Sequence, residues 1–192
     1  MAKWLGWSCA LACVFATQRA AAQENLAYTP EKLVSAGVLL GFGIALGKDY
    51  NPWGIGIGAR AGYNIQAIYV GARFVFHLGT TDSSVGVGLN AVEIGYSLWE
   101  LGVEAGYDMR VVDKLTLRPG AVLGVISAIT DNNDPLFAGS SSQIKVELSP
   151  GISALYDVTD EFFAGGDLRL PLAIGGGVLF GLVLYANGGV HF

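Results

Sequence analysis

Taking every second residue divides most of the chain after Leu33 into two faces. From Trp99, the positions Trp99, Leu101, Val103, Ala105, Tyr107, Met109 and Val111 are apolar, whereas Glu100, Gly102, Glu104, Gly106, Asp108 and Arg110 are charged or glycine. Successive strand side chains point to opposite faces, so this period of two predicts a strand. Ile55 to Tyr63 sets Ile55, Ile57, Ala59, Ala61 and Tyr63 against Gly56, Gly58, Arg60 and Gly62. Phe162 to Leu170 divides in the same way, with Gly165, Asp167 and Arg169 on the polar side. Val34 to Leu46, Ile68 to Leu78, Leu115 to Val125, Ile144 to Tyr156 and Val178 to Phe192 bring the number of predicted strands to eight.

The breaks between these segments alternate in length. Asn64 to Ala67, Val112 to Lys114 and Asp157 to Asp160 are short; Gly47 to Trp53, Gly79 to Leu98 and Thr130 to Ser142 are long, and Ile174 to Gly177 is the exception. Short turns at one end and long loops at the other predict an all-β, closed antiparallel barrel that spans a membrane. Helical spans fit poorly. Leu33 to Leu46 is shorter than the roughly 20 residues a spanning helix needs, and Leu170 to Ala186 contains Pro171 and Gly175-Gly176-Gly177.

Alternation alone does not say which face is the core, since a soluble lipocalin-like barrel alternates too. The content of the polar face decides. A solvated face would be rich in Lys, Glu and Thr, but here it holds glycines with a few charges of both signs, as the narrow lumen of a small barrel requires. The chain is 52% apolar and 14% charged, with 28 glycines. Soluble domains carry about a quarter charged residues. Tyr63, Tyr156, Phe162 and Phe192 lie at strand ends beside the short turns, where an interfacial girdle belongs, and Trp53 and Trp99 lie toward the other end.

Residues 1–22 read as a cleaved export signal: Lys3, an apolar stretch from Leu5 to Ala16, then Ala20-Ala21-Ala22 at the cleavage site. Residues 23–32 are then a short periplasmic segment and 33–192 the barrel. Cys9 and Cys13 lack the preceding leucine of a lipoprotein signal and leave with the leader, so no cysteine site remains. Removing Lys3 and Arg19 from 11 basic residues leaves 9 against 16 acidic ones, a net charge of −7. That surplus, with no cluster of Lys and Arg, excludes a nucleic-acid partner.

The final strand, Leu182-Val183-Leu184-Tyr185-Ala186-Asn187-Gly188-Gly189-Val190-His191-Phe192, alternates and ends on phenylalanine. In this it resembles the small OmpA-like and OmpX-like outer-membrane barrels of Gram-negative bacteria. The resemblance implies an outer-membrane location, contact with outer-membrane lipid, and a terminal signal, Tyr185, Val190 and Phe192, read by the barrel-assembly machinery. The signal's glycine falls one place late, at Gly188.

Three prolines strain the simple sheet. Pro119 and Pro150 lie inside predicted strands and Pro171 at the end of one, and each lacks a ladder donor. Bulges are the expected remedy, since Pro119-Gly120 and Pro150-Gly151 place glycine next. The parity also slips near Leu98, where Val92, Ile94, Tyr96 and Leu98 give way to Trp99, Leu101 and Val103; Val85 to Leu98 is therefore expected to be a β-like loop beyond the membrane.

The inward face is expected to carry Arg60, Arg73, Glu100, Glu104, Asp108, Arg110, Arg118, Lys145, Glu147, Asp167 and Arg169. Buried charge must be paired, so these predict an ion-pair network that plugs and rigidifies the lumen. The competing reading is a gate in which Glu104, Arg118, Lys145 and Asp167 exchange partners and admit ions. Catalysis has one local candidate, Ser83 or Ser84 with His77 and Asp82, on the outside of the barrel against lipid esters; no nucleophile motif surrounds it. His77 reads otherwise as an interfacial residue, and His191 is penultimate. Asp131-Asn132-Asn133-Asp134 lacks the later glycine and glutamate of a calcium loop and reads as a solvated turn. No enzyme activity, metal or cofactor is expected. The function expected is structural or surface interaction through the long loops, with a narrow pore as the alternative and a lipid-modifying enzyme a distant third; the external ligand is not identified.

Overall fold

The computed structural model describes residues 32–85, 91–132 and 139–192, with the side chains of 82–85 and 91–93 outside the description. The export signal and the 23–31 segment lie outside it as well. Ten antiparallel strands are present among the described residues: β1 (Val34–Ala45), β2 (Ile55–Ile65), β3 (Ile68–Val85), β4 (Ala91–Tyr107), β5 (Met109–Val112), β6 (Leu115–Asn132), β7 (Gly139–Asp157), β8 (Phe162–Arg169), β9 (Leu172–Ile174) and β10 (Val178–His191). They form eight staves, because β5 continues β4 along β6 and β9 continues β8 between β7 and β10. The sheet closes on itself where β1 pairs with β10, from Ser35 opposite His191 to Ala45 opposite Gly181. All-β architecture and closure are as the alternation predicted.

The breaks within staves fall where the prolines lack donors. Tyr107 ends β4 opposite Pro119, yet pairing runs in one register from Gly106 opposite Gly120 to Met109 opposite Leu117. Asp108 meanwhile gives its amide to the Ala67 carbonyl. Pro150 faces the break at Leu170-Pro171, and the Leu170 amide donates to its carbonyl at 2.9 Å. The bulges expected at these prolines are absent. Each missing donor instead costs one rung of the ladder without shifting the register.

The register shifts lie elsewhere, between Leu78 and Thr81 on β3 and between Arg110 and Val112 on β5. At the first, the Thr80 amide turns to the Asn51 carbonyl in the β1–β2 loop. The parity slip expected near Leu98 does not occur. β4 pairs with β6 without interruption from Ile94 to Gly106, and Leu98 is buried on the same inward face as Glu100. Only the content of that face changes, from charged to apolar. The expected loop is largely a hairpin extension, in which Ala91 to Gly95 pairs with Thr81 to Val85.

The outward face is apolar and exposed along every stave, with Val38, Ile57, Leu101, Leu123, Val146 and Leu184 each at least half exposed. In water such a surface would be untenable; against acyl chains it is the expected band. Tyr63, Tyr156, Phe162 and Phe192 are exposed at the short-turn end, matching the predicted girdle. Trp53 departs from it, being wholly buried.

Lumen glycines provide room for their large neighbours. A Cβ on Gly62 would meet the Tyr69 ring, one on Gly41 the Tyr185 ring, and one on Gly43 or Gly181 the Trp53 side chain. Gly62→Val should therefore cost about 1–3 kcal/mol as overpacking, while Ala61→Val, facing lipid beside it, should not. Heat-modifiable gel migration after a urea series reads the difference. Equal midpoints for the two variants would contradict this packing.

Candidate functional site: a filled lumen

Inward side chains from all eight staves meet in the lumen. Ten of the eleven expected lumen charges are at most 7% exposed there; Arg110 is half-buried at the short-turn rim, paired with Asp157 at 2.8 Å. They divide into separate groups. At the centre, Arg169 donates through Nη2 to Glu104 and through Nε to Asp167 Oδ1 at 2.9 Å, which also accepts from Ser153 Oγ at 2.8 Å. Arg60 lies 3.7 Å from Glu104 and 3.6 Å from Asp167. Arg73 joins this group to Glu100, at 3.8 Å from Asp167 and 2.7 Å from Glu100.

Nearer the short turns, Asp108 accepts from Nε and Nη2 of Arg118 and, at 2.6 Å, from Asn64 Nδ2. The Arg118 guanidinium lies 3.7 Å over the centre of the Tyr69 ring, a stacking that a planar cation favours. Lys145 joins no carboxylate within ion-pair distance among the described residues; its ammonium bonds the carbonyls of Gly175 and Gly177 and so fixes the β9–β10 turn. Glu147 is buried without a cation within 4 Å among the described residues. Glu104, Arg118, Lys145 and Asp167 therefore do not form one set. Only Glu104 and Asp167 share partners.

Toward the long loops the lumen is largely apolar, with Glu100, Lys145 and Glu147 at its lower rungs. Leu39, Trp53, Val75, Leu98, Ile126, Ala173, Leu179, Val183 and Tyr185 form one buried cluster. Trp53 comes from the β1–β2 loop, held by Asn51, whose Oδ1 accepts from the Ala45 and Trp53 amides and whose Nδ2 donates to the Gly43 carbonyl. His77 joins the two layers. The Trp53 carbonyl can only accept, so His77 Nδ1 carries the hydrogen of that 2.6 Å bond, and Nε2 accepts from the Tyr185 hydroxyl at 3.0 Å.

These contacts correct two expectations, the place of His77 and the filling of the lumen. His77 is neither on the outside of the barrel nor interfacial but wholly buried in the lumen, where it meets no lipid ester; the side chains of Asp82, Ser83 and Ser84 lie outside the described residues. Tyr185 points inward, on the face opposite Val190 and Phe192. The lumen is not filled by glycine and ion pairs alone. Its apolar plug had a signal in the sequence: Val178 to Tyr185 is apolar at nearly every position rather than at alternate ones, because lipid lies on one side and the plug on the other.

Among the described residues no group of three or more His, Cys, Asp or Glu is placed to hold a metal. Asn133 and Asp134 fall outside the description.

The outer membrane protein beta-barrel domain matches residues 8–184. The chain belongs to that family. Its location is accordingly the outer membrane, where the short turns of such barrels face the periplasm and the long loops the exterior. No curated protein matches the chain. Among solved structures it is similar to Neisserial surface protein A, at 18% identity and a TM-score of 0.61 over 83% of this chain and 96% of that one. It is similar also to a major outer membrane protein of Thermus thermophilus, at 12% identity and a TM-score of 0.59 over 84% and 100%. Ail of Yersinia pestis, crystallised with the heparin analogue sucrose octasulfate, matches at 16% identity and a TM-score of 0.51 over 84% and 97%. At such identities these likenesses speak for the fold of the family and not for a ligand.

Arg169→Met should destabilise the barrel by about 3–5 kcal/mol, because it removes the guanidinium that hydrogen-bonds both Glu104 and Asp167 and leaves them only the more distant Arg60 and Arg73. Trp53→Ala should cost a similar amount, about 3–5 kcal/mol, by opening a cavity in the plug. Urea midpoints in detergent measure both. Leu148→Ala, facing lipid, is the control expected to change little.

Proposed function

We propose that the protein is a sealed outer-membrane barrel whose role is structural and surface-interacting, exercised through the long-loop end rather than through its lumen. One observation carries this reading: the lumen is occupied in depth by two unlike fillings, an ion-pair layer and an apolar plug built around Trp53. Ions would have to cross both. A charged layer can rearrange around a passing ion, but an apolar constriction of this kind also excludes water. A gate among Glu104, Arg118, Lys145 and Asp167 finds no support in their contacts, since Arg118 and Lys145 each serve a different partner set.

The hairpins β3–β4 and β6–β7 are the longest strand pairs, running to Val85 and Ala91 and to Asn132 and Gly139. Their upper parts extend beyond the last charged lumen residues on the long-loop side. A loop-borne function on a rigid support is the common arrangement for binding proteins.

Purified wild-type protein in planar bilayers should show no conductance steps, and proteoliposomes should not swell in small sugars. Regular single-channel steps would sink the sealed reading. Orientation has its own test, since the sequence has no cysteine after Cys13. On intact cells a membrane-impermeant maleimide should label Asp131→Cys, exposed at the long-loop end, and leave Lys114→Cys at the short-turn end unlabelled until the membrane is opened. Labelling of Lys114→Cys alone would invert the barrel and remove the surface role.

A further inference from the structure

Among the described residues the short-turn end of the lumen is not filled. A cavity of about 380 Å³ opens there, within the range of small-molecule pockets. Its floor is built of buried polar groups, Asn64, Asp108 and Arg118, each at most 4% exposed. Its wall is the Arg110–Asp157 pair, with His191 3.5 Å from Asp157. Its rim carries Asp113, Lys114 and Asp160, all exposed and in no ion pair among the described residues, together with Lys32, whose ammonium lies 3.7 Å from the Glu161 carboxylate.

The chemistry differs with depth. At the floor both oxygens of Asp108 are taken, by Arg118 and Asn64, so the floor has no carboxylate left to receive a cation. Arg118 spends Nε and Nη2 on Asp108, which leaves Nη1 as a donor beside the cavity. Both Asp157 oxygens are likewise engaged, by Arg110 and His191. The deep end therefore suits an anionic or acceptor group. At the rim the uncommitted carboxylates of Asp113 and Asp160 suit a cation, with Lys114 beside them. A ligand bearing only negative charge would meet those rim carboxylates; one bearing only positive charge would meet Arg118.

We propose that this vestibule is a binding site for a small zwitterion of amino-acid to dipeptide size, its carboxylate directed at Arg118 and its ammonium at the Asp113 and Asp160 rim. The site is independent of the loop-borne role, because it lies at the opposite end of the barrel and beneath the sealed layers. Its ligand is met on the periplasmic side and is held rather than passed.

The test uses the mature protein, labelled with ¹⁵N in detergent micelles, and glycylglycine as the probe. Amides of Thr116, Leu155 and His191 should shift saturably, with a Kd in the millimolar range. Acetylating the amine or amidating the carboxylate of the probe should each weaken binding. Asp160→Asn, at an exposed turn where folding is not at stake, should weaken it about threefold, as an ion pair at a wet rim does. Arg118→Gln should abolish it, provided the unboiled protein still migrates as a folded barrel. Absence of saturable shifts up to about 50 mM probe, or equal responses to the zwitterion and both blocked peptides, would overturn the proposal.

Discussion

Closure of the sheet between β1 and β10 is the constraint on which the rest of this structure depends. Within hydrocarbon no water is available to backbone amides and carbonyls, so an open edge would leave a row of them unsatisfied at several kcal/mol each. The eleven pairs from Ser35–His191 to Ala45–Gly181 remove that edge. The prolines show how strongly the ring is held. Pro119, Pro150 and Pro171 each delete a donor, yet pairing resumes in the same register on the far side of each break. A register change there would send every later side chain of the stave to the wrong face.

Once eight staves close, the interior is filled mainly by side chains. Two solutions are stacked within it. Around the middle, arginines and carboxylates satisfy one another across strands that are far apart in sequence, as Arg169 and Glu104 do. Toward the loops, Trp53 folds back from the β1–β2 loop onto Gly43 and Gly181 and turns the lumen apolar. The glycines are the complement of these large groups. They do not thin the wall for a channel; they receive Tyr69, Tyr185, His77 and Trp53.

This division of the lumen gives the two ends different characters. Toward the long loops the lumen holds the buried apolar cluster. The short-turn end is open and lined with charge. The ion pairs and the apolar cluster stand between the vestibule and the long-loop end.

The strands, the closed barrel, the outward band and the inward position of each charge were all legible in the sequence, because a period of two assigns every residue to a face and the charge content says which face is protected from lipid. Partners were beyond its reach. Which carboxylate Arg118 meets, and that Lys145 holds a turn rather than an acid, depend on the stagger between staves, which no single strand records. Trp53 and the bulge at Gly79-Thr80 were beyond it for the same reason: a loop residue acquires an inside only when the barrel beneath it exists. Leu98 misled because an apolar residue on the inward face looks like a change of face until the plug that surrounds it is in place. These points were left to the folded barrel, since they rest on contacts between segments as much as 108 residues apart, such as His77 with Tyr185.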